Sequence, residues 1–432
     1  MKNRTKFALG ICVLAASAAA IVWSLNVRDE EQDVKAPLTY VPSETLMARG
    51  AYLARAGNCM TCHTARGGQS YSGGLGIATP FGTVFTSNLT PDANTGIGNW
   101  SSAHFWRAMH NGRSKSGRLL YPAFPYTSYT QVTREDSDAI FAYLRSLPAV
   151  AQPNQPHALR FPYQSQAALA VWRALYFSPG VYHPEPSRNA EWNRGAYLVK
   201  GLGHCSACHS PRDALGGTRT SKALDLAGGL IPMQNWYAPS LASPHEAGVG
   251  DWDREHIVSL LKNGVSPRAS VTGPMAEVVL RSTQYLTQED LGAMAQYLKE
   301  LPSSSPKPEA PPPARPANAS FNTEKAVKLY EQHCAQCHGD KGQGIANAYP
   351  PLAGNRAVTM TSMENLVQIV LNGGYAPATA GNPRPFGMPP FVLVLNDSEV
   401  AAVITHIRTS WGNQASDITP MEVLRIRANQ AR

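Results

Sequence analysis

The sequence lacks the motifs by which most enzymes hold a substrate. It contains no phosphate-binding loop, no glycine fingerprint for a nucleotide and no paired-carboxylate motif for acid–base chemistry. The chain therefore shows no substrate site of its own, and no residue is predicted to be catalytic.

Clustered positive charge is also missing. The formal net charge of +8 is modest for 432 residues, and the lysines and arginines are scattered along the chain. Nucleic-acid-binding domains concentrate basic residues on one face or helix, so no nucleic acid is expected among the partners. A scattered basic surface is either simply solvated or faces anionic lipid or an acidic protein.

Only one apolar run is long enough to cross a membrane. Residues 7–25 carry no charge, and a helix of that length extends about 28 Å, close to the thickness of a bilayer core. Basic residues precede the run and acidic residues follow it, which favours a cytoplasmic amino terminus and a body on the periplasmic side of the inner membrane. We predict a transmembrane anchor over residues 1–26, with a signal peptide cleaved near Ala20 as the alternative.

A second apolar segment, residues 167–177, is too short to span a membrane. A helix packed between domains is the preferred interpretation. A helix lying in the membrane surface is the alternative.

Cysteine is rare, but six of the seven cysteines form a pattern. The seventh, Cys12, lies in the apolar run and is predicted only to pack there. The spacing Cys-x-x-Cys-His occurs three times and is typical of c-type haem attachment, in which two thiols bind the vinyl groups and the histidine lies under the iron. Zinc ribbons or redox dithiols are the alternative, but a zinc ribbon combines pairs in twos and would leave one pair unmatched. The sequence predicts three covalently bound haem c groups, attached through Cys59, Cys62, Cys205, Cys208, Cys334 and Cys337 and ligated by His63, His209 and His338.

The three motifs predict an all-α fold of three tandem cytochrome c-like domains behind a single amino-terminal transmembrane helix. The domains are expected at residues 45–150, 190–302 and 321–412. Helical periodicity recurs in each domain, at residues 102–111, 134–147, 253–263, 287–301, 365–372 and 398–410.

The remaining residues are predicted to connect these domains. Residues 26–44 form a tether, residues 151–189 a linker with the apolar segment, and residues 303–320 a proline-rich, semi-rigid linker. Residues 413–432 are polar and predicted to be a partly ordered tail.

Methionine is the expected second axial ligand, because a His/Met pair raises the potential of a haem relative to two histidines. Met388 and Met275 are the candidates in the third and second domains, on turns between the last two helices, and core packing is the alternative for each. Loops around Pro239 and Pro351 are expected to bind the second ring nitrogen of the proximal histidine. His204 and His333, just before motif cysteines, are expected to be surface residues.

The first domain has Phe124 at the corresponding position, and phenylalanine cannot coordinate iron. The nearest thioether is Met109, which occupies the place of Leu261 in the second domain. We predict Met109 as the ligand; core packing, or ligation by His104 or His110, are the alternatives.

Long strings such as residues 193–212 and 381–391 resemble the three-haem cytochrome c subunits of membrane-bound periplasmic dehydrogenases, which oxidise alcohols, gluconate, sugar alcohols or aldehydes. The resemblance implies an electron-transfer subunit that takes electrons from a catalytic subunit with molybdenum, PQQ or flavin and passes them to ubiquinone. A small iron–sulfur subunit is a further implied partner.

The first domain departs from the family pattern Tyr-Pro-Ala-Met-Pro-Tyr, since residues 121–126 have Phe124 in place of methionine. This variant resembles more closely the cytochromes of molybdenum-dependent aldehyde oxidation. The alternatives are a partner of a PQQ- or flavin-dependent alcohol or sugar dehydrogenase, a stand-alone haem enzyme such as a peroxidase, and a carrier serving an oxidase.

Overall fold

Helices are the main regular secondary structure of the chain. The structure is a computed structural model that describes residues 2–27, 42–218, 225–302, 323–346 and 348–429. The helices are α1 (Lys2–Asn26), α2 (Glu44–Ala56), α3 (Cys59–Cys62), α4 (Ser102–Asn111), α5 (Tyr126–Tyr129), α6 (Arg134–Ser146), α7 (Gln166–Tyr176), α8 (Ala190–Tyr197), α9 (Ser206–His209), α10 (Arg254–Asn263), α11 (Gly273–Arg281), α12 (Gln288–Lys299), α13 (Thr323–His333), α14 (Ala335–His338), α15 (Arg356–Thr359), α16 (Glu364–Asn372), α17 (Asp397–Thr409) and α18 (Pro420–Ala428). A π-helical turn covers Leu198–Leu202, and a 3₁₀ turn covers Thr283–Tyr285.

The fold is mainly helical but not purely so, which corrects the all-α prediction. Short antiparallel strands form three small sheets with the orders β1-β2-β3, β4-β5 and β6-β7. Strands of two to four residues are too short to show an alternating pattern, so no periodicity indicated them. They are β1 (Gly76–Thr79), β2 (Gly82–Phe85), β3 (Ala158–Leu159), β4 (Gly229–Ile231), β5 (Trp236–Ala238), β6 (Gly374–Tyr375) and β7 (Gly387–Met388).

The predicted helices that follow the haem motifs are confirmed within a few residues. α4 shows why, because its ends are marked in the sequence. Ser101 caps the first turn by accepting from the His104 N–H, and Gly112 ends the helix in the left-handed region with φ 58°.

In each motif region, the helix before the motif packs against a later helix. α2 packs on α6, α8 on α12, and α13 on α17. Two of the crossings depend on glycine: a Cβ built on Gly50 would lie 1.9 Å from Ala139 O, and one on Gly195 would lie 1.9 Å from Ala293 O. The backbones therefore touch at the same place in the first and second regions.

Contacts divide the chain into two compact units. The first comprises Met1–His183, Lys200–His204 and Asp213–Thr220, and the second comprises Pro184–Val199, Cys205–Arg212 and Ser221–Arg432. The predicted linker from residue 151 begins as part of the first unit, because β3 pairs with β2 and α7 packs on α1. The apolar segment 167–177 thus forms a helix, as predicted, and within this unit it packs on α1.

The predicted tail folds back on the second unit, so the expectation of partial order was wrong. Thr419 and Glu422 form a capping box at the start of α18. Ile418, Val423 and Ile426 are buried in a core cluster with residues of α16 and α17. Val423 and Ile426 are three residues apart on one face of α18, and the burial of these side chains with Ile418 offsets the cost of ordering the segment.

The amino-terminal helix meets the criterion for a membrane span. Thr5–Asn26 has 22 residues and is long and apolar enough to cross a bilayer, although a signal sequence has the same properties. Residues 28–41 of the predicted tether and the predicted linker at residues 303–320 lie outside the described residues.

Candidate haem-attachment sites

The three Cys-x-x-Cys-His motifs share one backbone geometry. In each, the histidine N–H donates to the carbonyl of the first cysteine four residues earlier, at 3.0 Å for His63, 2.9 Å for His209 and 2.9 Å for His338. This bond closes one helical turn, which carries both thiols and the histidine. Local sequence produces this turn, since it recurs in three different surroundings.

Each motif histidine is also oriented by a backbone carbonyl. Nδ1 lies 2.6 Å from Ser87 O in His63, 2.7 Å from Pro239 O in His209 and 3.0 Å from Pro350 O in His338. Because a carbonyl only accepts, Nδ1 carries the proton and Nε2 keeps its lone pair for a metal. The Pro239 loop and the loop beside Pro351 were predicted for this role, whereas Ser87 was not.

Burial also sets the protonation states of the motif side chains. Burial lowers the pKa of His63, His209 and His338, so their rings are neutral at pH 7, which is the form that can bind a metal. Burial also raises the pKa of Cys59 and Cys205 to about 12, which keeps these thiols protonated. Among the described residues, no three His, Cys, Asp or Glu side chains converge as a group that could hold a metal ion by themselves.

Aromatic side chains lie beside the first motif, and one of them, Tyr129, was not singled out by the sequence patterns. Tyr129 donates its hydroxyl to Gly57 O at 2.9 Å, and its pKa is raised by burial and by proximity to Cys59 and Cys62. The Phe124 ring packs on Tyr129 with centroids 5.4 Å apart. Phe124 is therefore part of an aromatic cluster beside the first motif. The signal available in sequence was the density of aromatics in residues 121–129.

The three predicted methionine ligands occupy different kinds of element. Met109 is buried on α4, which packs on α5 and α6. Met388 is half-buried in β7 and packs on the core of the third motif region. Met275 lies in the first turn of α11 and not on a turn between helices, because Pro274 is favoured at a helix start and helix formers follow it. Iron ligation by these three residues stays a prediction.

The other histidines near the motifs have local partners. His104 Nδ1 accepts from the Ser101 N–H in the capping box of α4. His110 is buried, with Nδ1 2.8 Å from Thr130 O and its ring stacked on Trp106. His204 is not a surface residue as predicted, since its ring packs on Tyr129 at 5.4 Å and is half-buried.

Known proteins of similar sequence identify the family. Residues 47–148 and 323–411 match the family described as cytochrome c. The chain is 40% identical over 396 residues to the cytochrome c subunit of alcohol dehydrogenase (quinone) from Gluconacetobacter polyoxogenes, covering 88% of this chain and 84% of that protein. It is 36% identical over 404 residues to the gluconate 2-dehydrogenase cytochrome c subunit of Pantoea cypripedii, covering 90% and 91%. The chain belongs to the family of dehydrogenase cytochrome c subunits.

A third relative extends beyond this chain. A nicotinate dehydrogenase subunit of Pseudomonas putida is 38% identical over 429 residues, which are 97% of this chain but 34% of that protein. Membership of the family of dehydrogenase cytochrome c subunits means that this chain binds haem c covalently and transfers electrons. The oriented histidines and paired thiols fit that group.

Proposed function

We propose that the chain is the electron-transfer subunit of a membrane-bound dehydrogenase complex and carries electrons from a catalytic subunit through three c-type haems to ubiquinone. The observation that carries this proposal is the threefold repetition of one site geometry. Each motif closes the same helical turn, and each histidine is bound through Nδ1 by a backbone carbonyl. The relatives are named as cytochrome subunits of dehydrogenases, which supports a dehydrogenase as the partner.

Haem c supplies one-electron redox chemistry when it is bound. The motif cysteines would hold it, and His63, His209 and His338 would ligate the irons through Nε2. The carbonyl partners fix the ring orientation and make Nε2 a stronger donor. Met388, Met275 and Met109 are the proposed second axial ligands.

α1 is proposed to remain attached as an anchor. Its apolar residues are exposed, among them Phe7, Leu14 and Ile21, which are 72%, 72% and 59% accessible. A helix that presents such a surface to water is costly, whereas in a bilayer the same surface is favourable. The anchor would hold the haem sites on the periplasmic side, where quinone in the membrane is within reach.

The catalytic partner is proposed to be a molybdenum-dependent aldehyde dehydrogenase with a small iron–sulfur subunit. Phe124 is the feature that favours it over a PQQ- or flavin-dependent alcohol or sugar dehydrogenase, because the first site departs from the pattern of those cytochromes.

Co-purification and substrate-driven reduction test this function together. The chain is isolated from detergent-solubilised membranes, and co-eluting subunits are identified by mass spectrometry. In the membranes, aldehydes and alcohols are added in turn while the haem spectrum is recorded, and a ubiquinone analogue is then added. We expect reduction by one substrate class and reoxidation by the quinone. A chain that elutes alone, with haems that no substrate reduces, would disprove the function.

Phe124 also favours a second candidate function, a peroxidase at the first iron, because that iron would have an open position if no methionine binds it. Peroxide turnover by the purified chain, abolished in Phe124→Met, would support this candidate. Equal and negligible turnover by both proteins would exclude it.

A further inference from the structure

The end of α1 is fixed to the first unit through Asn26. This residue is 8% exposed, and its amide Nδ2 donates to Ala170 O at 2.9 Å. Its Oδ1 accepts from Arg173 Nε at 2.9 Å, and its backbone carbonyl accepts from Arg113 Nη2 at 3.0 Å. Two of these partners belong to α7, so α7 is held against the last turn of the apolar helix.

The length of the apolar helix sets the depth in the membrane at which Asn26 contacts α7. Thr5–Asn26 contains 22 residues, which extend about 33 Å, against a hydrocarbon core of about 30 Å. If α1 spans the membrane, as proposed above, Asn26 lies at the outer boundary of the core. α7, which contacts Asn26 near its middle, then lies at the level of the lipid headgroups.

The outward face of α7 is apolar. Ala167, Val171 and Leu175 follow one another at intervals of four residues and are exposed, Val171 to 48% and Leu175 to 61%. The only charged residue of the helix, Arg173, is 2% exposed and lies on the opposite face, with its guanidinium over the rings of Tyr126 and Phe177. We call Ala167, Val171 and Leu175 the outer stripe.

Neighbouring segments also carry exposed apolar side chains. Phe161, shortly before α7, is 82% exposed. Trp172 donates its indole N–H to Leu215 O at 3.0 Å, which ties a loop with a 45% exposed leucine to the helix. In the last turns of α1, Trp23 is 68% exposed. Exposed aromatics at this depth are typical of the boundary between lipid and water.

We propose that the outer stripe of α7 lies in the membrane, immersed among the lipid headgroups and upper acyl chains beside the exit of α1. Its continuity with the end of α1 favours lipid over a protein as the occupant, and an apolar face without charge has the composition of an interfacial helix. This inference rests on the proposed retention of α1.

A second membrane contact would restrain the first unit. A single helix leaves the attached domain free to rotate and tilt, whereas contact through α1 and α7 together fixes one orientation. Arg173 of α7 lies over Tyr126, whose ring is 6.4 Å from Phe124 in the aromatic cluster beside the first motif. The membrane contact therefore holds the first haem site at the bilayer surface.

Site-directed spin labelling tests this placement in the full-length, haem-loaded chain in native membranes. The six motif cysteines are occupied by haem, and Cys12→Ser removes the remaining thiol, so a nitroxide reports one site at a time. Val171→Cys and Leu175→Cys probe the stripe, Leu14→Cys serves as a lipid reference, and Ser70→Cys, on an exposed loop of the same unit, serves as a water reference. Electron paramagnetic resonance measures relaxation by oxygen, which enters lipid, and by a nickel chelate, which stays in water.

We expect the ratio of oxygen to nickel accessibility at Val171→Cys and Leu175→Cys to exceed that at Ser70→Cys several-fold and to approach that at Leu14→Cys. A ratio equal to that at Ser70→Cys, with Leu14→Cys in lipid, overturns the inference but leaves the anchor intact. Exclusion of both reagents would mean that a protein covers the stripe, which also overturns it. If sequencing shows that residue 14 is absent from the mature chain, the anchor fails. The placement of the stripe beside α1 then fails with it.

Discussion

Arg194 and Asp290 form a two-point ion pair, with Nε–Oδ1 and Nη2–Oδ2 distances of 2.7 and 2.8 Å. The pair joins α8 to the first turn of α12. Arg49 and Asp136 form the equivalent contact between α2 and α6, with Nε and Nη2 2.9 and 2.5 Å from Oδ1. In the first and second motif regions, the helix before the motif is therefore joined to a later helix by the same kind of ion pair.

We predict that Arg49→Met lowers the free energy of unfolding by about 1–2 kcal/mol, because it leaves the Asp136 carboxylate, whose side chain is 3% exposed, without its cationic partner. Half of Arg49 is in solvent, which limits the loss. Denaturant titration followed by circular dichroism measures it. The control is Arg188→Met, whose pair with Glu300 is exposed on both sides, and it should change stability by less than about 0.5 kcal/mol. Equal effects of the two variants would contradict a special role for the buried carboxylate.

The glycine crossings give a second prediction. Gly50→Ala and Gly195→Ala should each destabilise the chain by about 1–3 kcal/mol, because the added methyl group meets a carbonyl oxygen at 1.9 Å and the helices must separate. Thermal unfolding followed by circular dichroism measures this. Gly180→Ala is the matched control, since a Cβ there meets nothing within 4 Å. If Gly50→Ala were as stable as Gly180→Ala, the close approach of α2 and α6 would be wrong.

Removing one cysteine pair tests the number of haems. The double variant Cys334→Ala/Cys337→Ala should lose one third of the covalently bound haem per chain, because the proposal assigns one haem to each motif. Alkaline pyridine spectra of acid-acetone-extracted protein give the content. Cys12→Ala should change nothing, since Cys12 lies in α1 outside the motifs. A full haem complement in the double variant would reject the assignment of the third motif.

The redox potential and the spectrum of the first haem should depend on its proposed ligand, Met109. Met109→Leu conserves volume, so the fold should survive, while the loss of the thioether should lower the potential of one haem and change its spectrum. Redox titration with optical detection resolves the change. Met294→Leu is the control, because Met294 is equally buried, at 4% exposure, and lies outside the candidate ligand positions. Identical titrations of the two variants would show that Met109 only packs.

Arg408 organises the third motif region. Its side chain donates to Val358 O at 2.5 Å, Met360 O at 3.0 Å and Ser416 O at 2.7 Å, and burial lowers its pKa to about 10, so that it stays charged at pH 7. Arg408→Met should cost about 2–4 kcal/mol, because three buried acceptors lose their donor.

Arg408→Lys should not restore that stability, since one ammonium cannot reach three carbonyls on two separate segments. Urea unfolding monitored by tryptophan fluorescence provides the measurement. Arg425→Met, at a 66% exposed side chain, should be neutral. Full recovery in Arg408→Lys would mean that charge alone matters at this position.

Local sequence determined the haem motifs, the apolar helix and most helix boundaries. The reason is that these features depend on residues within one or two turns of each other. The Cys-x-x-Cys-His turn closes through a bond between residues four apart, and α4 is bounded by Ser101 and Gly112 at its own ends. Such short-range rules can be applied without knowing the fold.

Tertiary structure alone decided which distant groups meet. Ser87 O binds His63 across 24 residues, Asn26 meets Arg173 across 147, and α18 folds because α16 and α17 present an apolar surface to it. The same is true of the outer stripe. The face of α7 that carries its charged residue, Arg173, would be expected to face solvent, and only the docking of Arg173 on Asn26 buries that face and turns Val171 and Leu175 outward.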